Sequence, residues 1–381
     1  MSYDAPPAVP SAPPRFGEED WGEAALAARR EWVGVDTPHI AGRPTPPEAA
    51  RGNIEGMIGH VQVPLGVAGP LVLRGDAAGA WRVPFATTEG TLVASYQRGM
   101  KVAAEAGGID VHLLGAGLAV YPTLAFADVA AALAAARWVE AHRAELVAAA
   151  EGTTRHGRVL RLDPTVLGRR LLLELEMHTG DAHGINMVTR AAGALCALVP
   201  GAGQVLLHGF DVEKRASGQR GRGRRVVADL RVPKELVTRA WRTDAARLAE
   251  LWQTYSLGFA RMGTHTHAIQ VANGLAAIYL ATGQDVAYVT ESAACTLCLE
   301  DRGGDLYASL DLPNLHAATV GGGTQKGTAA EAQRIVGAPD ASTLACVIAG
   351  ALLAGDLNLA GSFLGDDFTG AHERLGRNRP V

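Results

Sequence analysis

Cysteine is scarce in this chain: four residues, Cys196, Cys295, Cys298 and Cys346, stand among 381. They are too few and too scattered for the disulfide framework of a secreted domain, so the chain reads as a protein of the reducing cytoplasm. Cys295 and Cys298 have the spacing of half a zinc site, but no second Cys or His pair matches them, and no metal is expected. Strong net charge is also missing, at −4, which leaves no overall pull toward nucleic acid or anionic lipid and favours small-molecule chemistry. Apolar runs such as Ala130 to Ala136 meet charge long before the roughly 20 residues of a membrane span. The proline-dense N-terminus lacks the apolar stretch of a signal peptide and reads as a disordered lead-in.

What is present is apolar side chain in quantity, 48% of the residues, enough for a large core or two modest ones. Residues 18–33 read as a short amphipathic helix, followed by proline punctuation from Pro38 to Pro47. The compact body starts near Gly52, with a strand-like segment around Trp81 to Thr87 and a helical one from Thr91 to Gly108. Residues 121–206 change texture to a β-α-β-α alternation: a strand at 121–127, one long helix at 128–151, a strand at 169–179 and a helix at 183–199. That order predicts a small α/β unit, ferredoxin-like, set inside a larger domain. Two long helical patterns fill 234–282, short strands with a Gly303-Gly304 turn follow, and a last helix is expected at 341–363. The polar stretch 365–381 reads as a mobile tail.

Chemistry is sought in polar islands with apolar surroundings, where burial tunes acids and bases. Glu89 lies among small residues at a strand-to-helix junction, where helix capping is an equally good account. Lys214 and Arg215 sit on a turn-like segment, which is usually only a solvated loop. Asp285 follows an apolar helix in a Gly-Gln-Asp turn; capping is again the bland account, and a buried Asp there needs a cation such as Lys214. His372 falls in the tail, where a histidine is ordinarily just exposed. The glycine-rich segments 180–186 and 319–327 match neither a dinucleotide fingerprint nor a phosphate loop.

Taken in order, five segments resemble the 3-hydroxy-3-methylglutaryl-CoA (HMG-CoA) reductase family: EGMIGHVQVPLGVAGPL (55–71), ATTEGTLVASYQRG (86–99), TGDAHGINMVTRA (179–191), ATGQD (281–285) and DLYASLDLPNLHAATVGGGT (305–324). The resemblance spans Asn53 to Asn378 and implies an α+β fold, a large helical catalytic domain with an inserted ferredoxin-like NAD(P)-binding domain. The implied division is a lead-in at 1–50, a discontinuous catalytic domain at 51–120 and 207–364, the insert at 121–206 and a tail at 365–381. The implied activity is reduction of HMG-CoA to mevalonate and free CoA with two hydrides from NADPH, by a cytoplasmic homodimer with active sites at the subunit interface.

By resemblance, Glu89 is the catalytic acid, Lys214 the oxyanion-stabilising cation, Asp285 the carboxylate that tunes both, and His372 the proton donor to the departing thiolate. Asn273 orients the lysine, and Arg215 is left as a partner for the substrate carboxylate. Thr154, Arg155, Asp181, Gly184 and Asn186 resemble the cofactor segment. The arginine favours NADPH over NADH. Ser95, Arg98 and Lys101 resemble the segment that meets CoA.

Three departures bear on substrate. An ungapped alignment puts the carboxylate-clamping positions on Val120, Leu207 and Gln253, none of them a clamp, although Arg220 or Arg222 could enter the vacancy; His183 also replaces the usual methionine. A homologue acting on another acyl-CoA or carrier-bound thioester is therefore the alternative. A reading from another class makes the basic stretch 219–225 an Arg/Gly loop for RNA or a partner, against which stand its shortness and its lack of aromatics.

Overall fold

The computed structural model describes residues 11–208, 213–217 and 221–365. Helix α1 (Glu23–Val33) ends at Gly34, whose φ of 72° supplies a left-handed cap. Strands β1 (Leu65–Gly75) and β2 (Gly79–Ala86) pair antiparallel, and α2 (Leu92–Glu105) leads into β3 (Ile109–Val120). Next come β4 (Thr123–Ala125), α3 (Val129–Ala141), α4 (Arg143–Glu151), β5 (Arg158–Leu167), β6 (Arg170–His178), α5 (Ile185–Cys196) and β7 (Gln204–Leu206). The chain returns through β8 (Arg222–Val232), α6 (Lys234–Trp241), α7 (Ala245–Met262), α8 (Val271–Thr282), α9 (Val289–Ser292), β9 (Thr296–Arg302), β10 (Asp305–Leu315), α10 (Gly327–Val336) and α11 (Ala341–Leu364).

One sheet runs through the described residues in the order β7-β4-β6-β3-β8-β10-β9, with β5 on β6 and the β1–β2 hairpin on β3. The end of β3 and then β4 follow the same edge of β6, while β5 takes the other edge and β7 pairs with β4, all antiparallel. The order β7-β4-β6-β5, with helices between β4 and β5 and between β6 and β7, is the split βαβ pattern of a ferredoxin-like unit. Its own apolar core gathers side chains from Leu118 to Val199. A second, larger core collects β1, β2, β8–β10 and the helices around α11. The larger part is thus not simply helical: an antiparallel sheet backs its helices.

Several local expectations need correction. The single helix expected over 128–151 is broken at His142, where φ is −109° and ψ 19°; the ring bonds the Trp138 carbonyl at 2.9 Å and stacks on the Trp138 indole at 4.1 Å. Strands β3 and β5 carry no clear signal, since Gly115 and Gly117 weaken one and Arg158, Arg161, Asp163 and Pro164 interrupt the apolar pattern of the other. Residues 234–282 hold three helices rather than two, because Arg242 turns left-handed and Asp244 caps a new start. The expected basic loop at 219–225 is, from Arg222 on, strand β8, with Arg222 1% and Arg224 5% exposed. Arg222 and Arg224, turned into the interior, offer no charge to a nucleic-acid surface.

Helix α11 has the length and hydropathy of a membrane span, but 94% of its most apolar window is buried inside the protein, and it acts as the core helix. Its approach to α2 is close enough that a Cβ on Gly99 would stand 1.9 Å from the Ala354 carbonyl oxygen. Backbone cannot yield as a side chain can, so Gly99→Ala is expected at or beyond the upper end of the usual overpacking cost of about 1–3 kcal/mol, read as a lower urea midpoint. Midway along α11, the fully buried Asp356 accepts the Ile269 and Gln270 amides at 2.8 and 2.9 Å, which fixes the start of α8. Burial raises its carboxyl pKa to about 6.

Candidate active site

Helix α8 organises the candidate residues. Near its N-terminus the Asn273 amide donates to the Glu89 carboxylate at 3.2 Å, and both residues are exposed. Glu89 does not cap α2: the N-cap is Thr91, two residues on, with φ of 72°. Past the C-terminus of α8, Asp285 does cap, accepting the Ala287 amide at 3.0 Å through Oδ1. Its other oxygen holds the Lys214 Nζ at 2.9 Å, so one carboxylate both caps the turn and pairs with the cation.

The Lys214 side chain is 42% exposed, and the Asp285 hydrogen bond raises its pKa further, against a smaller desolvation effect. It is a stable ammonium whose charge faces solvent at one side and the Tyr288 ring, 5.1 Å away, at another. Arg215 is exposed and bonds the Glu213 carbonyl at 3.1 Å. His372 lies outside the described residues. The two pairs lie toward opposite ends of α8: from Asn273 to Thr282 the helix rises about 13 Å, and Asp285 lies beyond its end. The chain thus presents two pairs, Glu89 with Asn273 and Lys214 with Asp285: Asn273, expected to orient the lysine, bonds Glu89 instead, and Asp285, expected to tune both, reaches only Lys214.

A third group surrounds the start of α5. Gly184 is its N-cap with φ of 86°, and a Cβ there would come within 2.4 Å of Thr179. Asn186 is exposed on the first turn. The Thr154 hydroxyl reaches the Met187 sulfur at 3.0 Å and receives the His156 and Gly157 amides, both at 3.2 Å, which sets the exposed Arg155 close to that helix start. Free amides of a helix N-terminus beside an arginine suit a phosphate. Asp181 has a structural task, accepting the Ala341 amide at the start of α11 at 3.0 Å, while its carbonyl takes the Thr319 amide.

On α2, Ser95 receives Gln270 and Asn358 side-chain amides at 3.3 and 3.0 Å, and Arg98 bonds the Ala240 carbonyl. Lys101 is the exposed cation of that helix face, 3.9 Å from Glu105. The three supposed clamp positions share no pocket. Val120 is buried in the smaller core, Leu207 packs on that core's edge, and Gln253 is exposed on α7.

Sequence reasoning missed a buried polar network beside Lys214. Glu291 on α9 is 2% exposed and pairs with Arg222 Nε at 2.9 Å and His316 Nε2 at 3.0 Å. His316 in turn bonds His183 at 2.9 Å, and the Tyr288 ring packs on both histidines, 4.2 and 4.3 Å between centroids. Burial alone would raise the Glu291 pKa, but His316 and Arg222 together hold it below the usual carboxylate value. Burial lowers both histidines: His183 strongly, with the His316 and nearby cationic charges adding to the effect, and His316 less so, because its bond to the Glu291 carboxylate works against burial. The one visible signal was His183 where the resembling segment carries methionine.

Those lowered values set a pH dependence. A histidine that stays neutral when folded but takes a proton near pH 6.5 when unfolded costs nothing above that pH, and stability falls as pH drops below it. The slope approaches about 1.4 kcal/mol per pH unit for each histidine. Asp356 works in the opposite direction, since its raised pKa relieves a cost as pH falls below about 6. Urea titrations between pH 7 and 5.5 should therefore show wild type losing more stability than His183→Met; equal losses would contradict a neutral, half-buried His183.

The family model for hydroxymethylglutaryl-coenzyme A reductase matches residues 25–377. The 3-hydroxy-3-methylglutaryl-coenzyme A reductase of Haloferax volcanii is 39% identical over 376 residues, covering 93% of each chain. That of Methanothermobacter thermautotrophicus is 37% identical over 373 residues, covering 93% of this chain and 94% of its own. Among solved structures, the NADPH-bound class II 3-hydroxy-3-methylglutaryl-CoA reductase of Streptococcus pneumoniae superposes with a TM-score of 0.74 at 20% identity, over 90% of this chain and 97% of that one. At that identity the likeness concerns the fold.

Proposed function

Since the chain belongs to the hydroxymethylglutaryl-coenzyme A reductase family, we propose that it reduces HMG-CoA to mevalonate and free CoA with two equivalents of NADPH. The observation that carries this reading is the Lys214–Asp285 pair, a half-exposed ammonium held charged at 2.9 Å from a carboxylate, within a chain matching the family over 353 of its residues, 25 through 377. A different acyl thioester is not favoured, because the relatives at 37–39% identity carry the HMG-CoA reductase name.

In this reading NADPH supplies hydride to the thioester carbonyl and then to the aldehyde. The Lys214 ammonium stabilises the oxyanion formed at each reduction, and preorganised charge of this kind is commonly the largest catalytic contribution. Asp285 keeps the ammonium aimed and charged. Glu89, oriented by Asn273, donates a proton to the oxygen at the aldehyde level. His372 protonates the departing CoA thiolate. The α5 N-terminus with Arg155, Gly184 and Asn186 would hold the cofactor's phosphates, and Lys101 with Arg98 those of CoA. Arg215 is the partner of the substrate's free carboxylate.

We also read 121–206 as the cofactor unit within the catalytic domain 51–120 and 207–364, and place the enzyme in the cytoplasm as a homodimer. Two half-sites at opposite ends of α8 support the dimer: a second copy in a symmetric pair can bring Lys214 and Asp285 of one chain to Glu89 and Asn273 of the other. NADPH oxidation at 340 nm with HMG-CoA tests the reaction, and the expected stoichiometry is two NADPH per thioester. One NADPH per thioester, or none with cofactor bound, would refute it.

A further inference from the structure

The turn that carries Lys214 has an unfavourable backbone: φ at this residue is 57°, in the left-handed region that a side chain disfavours. Such conformations are disfavoured and persist where the surroundings hold them. Two hydrogen bonds do so here. The Lys214 amide donates to Glu291 Oε1 at 2.5 Å, and the Tyr288 hydroxyl donates to the carboxylate of the neighbouring Glu213. Both acceptor and donor come from the segment 288–291 that begins three residues past Asp285.

Glu291 in turn is held on its far side. Its Oε2 receives Arg222 Nε–H at 2.9 Å and His316 Nε2–H at 3.0 Å. With that proton spoken for, His316 presents Nδ1 as an acceptor, and His183 Nε2–H fills it at 2.9 Å. Three donors thus converge on the one Glu291 carboxylate, Arg222 Nε–H and His316 Nε2–H from the interior and the Lys214 N–H from the turn, with His183 bonded behind His316. Arg222 is itself fixed, through Nη1 to the Ala119 carbonyl at 2.6 Å and through its amide to Asn314 at 3.2 Å. None of these groups reaches solvent as Lys214 does, and none touches the reacting atoms in the reading above.

We infer that Glu291 is a positioning residue for Lys214: its buried carboxylate, steadied by Arg222 and the His316–His183 pair, holds the strained turn that aims the Lys214 ammonium at Asp285 and the substrate. The inference rests on the proposed catalytic role of Lys214, but its structural half can be measured without substrate. A carboxylate is needed because donors approach from both sides. Glutamine accepts on one side only, and the Arg222 charge draws that oxygen inward, which turns the amide nitrogen against the Lys214 N–H.

The test uses the full chain as wild type, Glu291→Gln and, in case a stranded Arg222 prevents folding, Arg222→Met/Glu291→Leu, which removes both buried charges together. Hydrogen exchange followed by mass spectrometry reads the peptide spanning Lys214, and steady-state kinetics with HMG-CoA and NADPH reads turnover. The expected result is exchange at Lys214 at least tenfold faster with protection over β8 and α11 unchanged, and kcat at least tenfold lower with KM for NADPH within twofold. A folded variant whose Lys214 exchange stays within twofold of wild type overturns the inference, as does faster exchange with kcat unaltered. If wild type itself does not reduce HMG-CoA, the proposed reaction fails separately, and the exchange result still decides whether Glu291 holds the turn.

Discussion

Replacing Lys214 by alanine should lower kcat by about 10²–10³-fold, the usual cost of removing one preorganised oxyanion partner, while leaving the protein folded. The second half of this expectation follows from exposure. The ammonium is 42% and the Asp285 carboxylate 50% exposed, so the pair adds little to stability in water. Asp285 also keeps its bond to the Ala287 amide after the substitution. A thermal melt within a few degrees of wild type beside a collapse of NADPH oxidation is the expected pattern. Loss of both together would mean that Lys214 is a structural residue, and retained turnover would remove it from the chemistry.

The largest stability effect should come from Arg222→Leu. Its guanidinium is paired in the interior with Glu291, both side chains at 3% exposure or less, and removal strands a buried carboxylate at a cost of roughly 3–5 kcal/mol. Arg225, three positions along the same strand, supplies the control. Its pair with Asp311, also 2.9 Å long, is about one-third exposed on each side, and Arg225→Leu should cost no more than about 1 kcal/mol. Urea denaturation of the two variants measures the contrast. Equal losses would show that burial does not distinguish these two ion pairs.

Those two arginines also mark where sequence reasoning stops. The stretch from Arg222 to Arg225 is basic and glycine-rich, the composition of a solvated loop, and only pairing with β3 and β10 turns alternate arginines inward. Elements whose apolar pattern needs no partner were legible. The α2 helix, the β9–β10 hairpin at Gly303-Gly304 and the buried α11 follow from periodicity and turn chemistry within the segment itself. The break at His142 was not, because an alanine-rich pattern runs through it and the Trp138–His142 stack that accompanies it is a tertiary detail.

The candidate site was legible in the same uneven way. Motifs pick out Glu89, Lys214 and Asp285, and the Lys214–Asp285 pairing suggested by charge is present at 2.9 Å. Motif order carries no distances, so the separation of Glu89 from Lys214 by the length of α8 was invisible. Glu291 sits 77 residues from the amide it holds and 69 from the arginine that neutralises it; nothing in a short tract around Glu291 announces either partner. The clamp positions show the same limit: Val120 and Leu207 pack in and against the smaller core while Gln253 is exposed on α7, a separation that positions along a sequence do not reveal.

Mixing two inactive variants tests the central claim, that one reductase site is completed by two copies of the chain, more directly than any single substitution. Glu89→Gln and Lys214→Ala would be purified separately, shown to be inactive with HMG-CoA and NADPH, then dissociated and reassociated together. In a mixed dimer one site receives both defects and the other receives neither. Random reassociation makes about half of the dimers mixed, so the account predicts recovery of roughly a quarter of wild-type activity, given the twofold symmetry of such a pair. Activity that stays at the level of the separate variants would contradict it, and would mean that Glu89 and Lys214 must act from the same chain or not together.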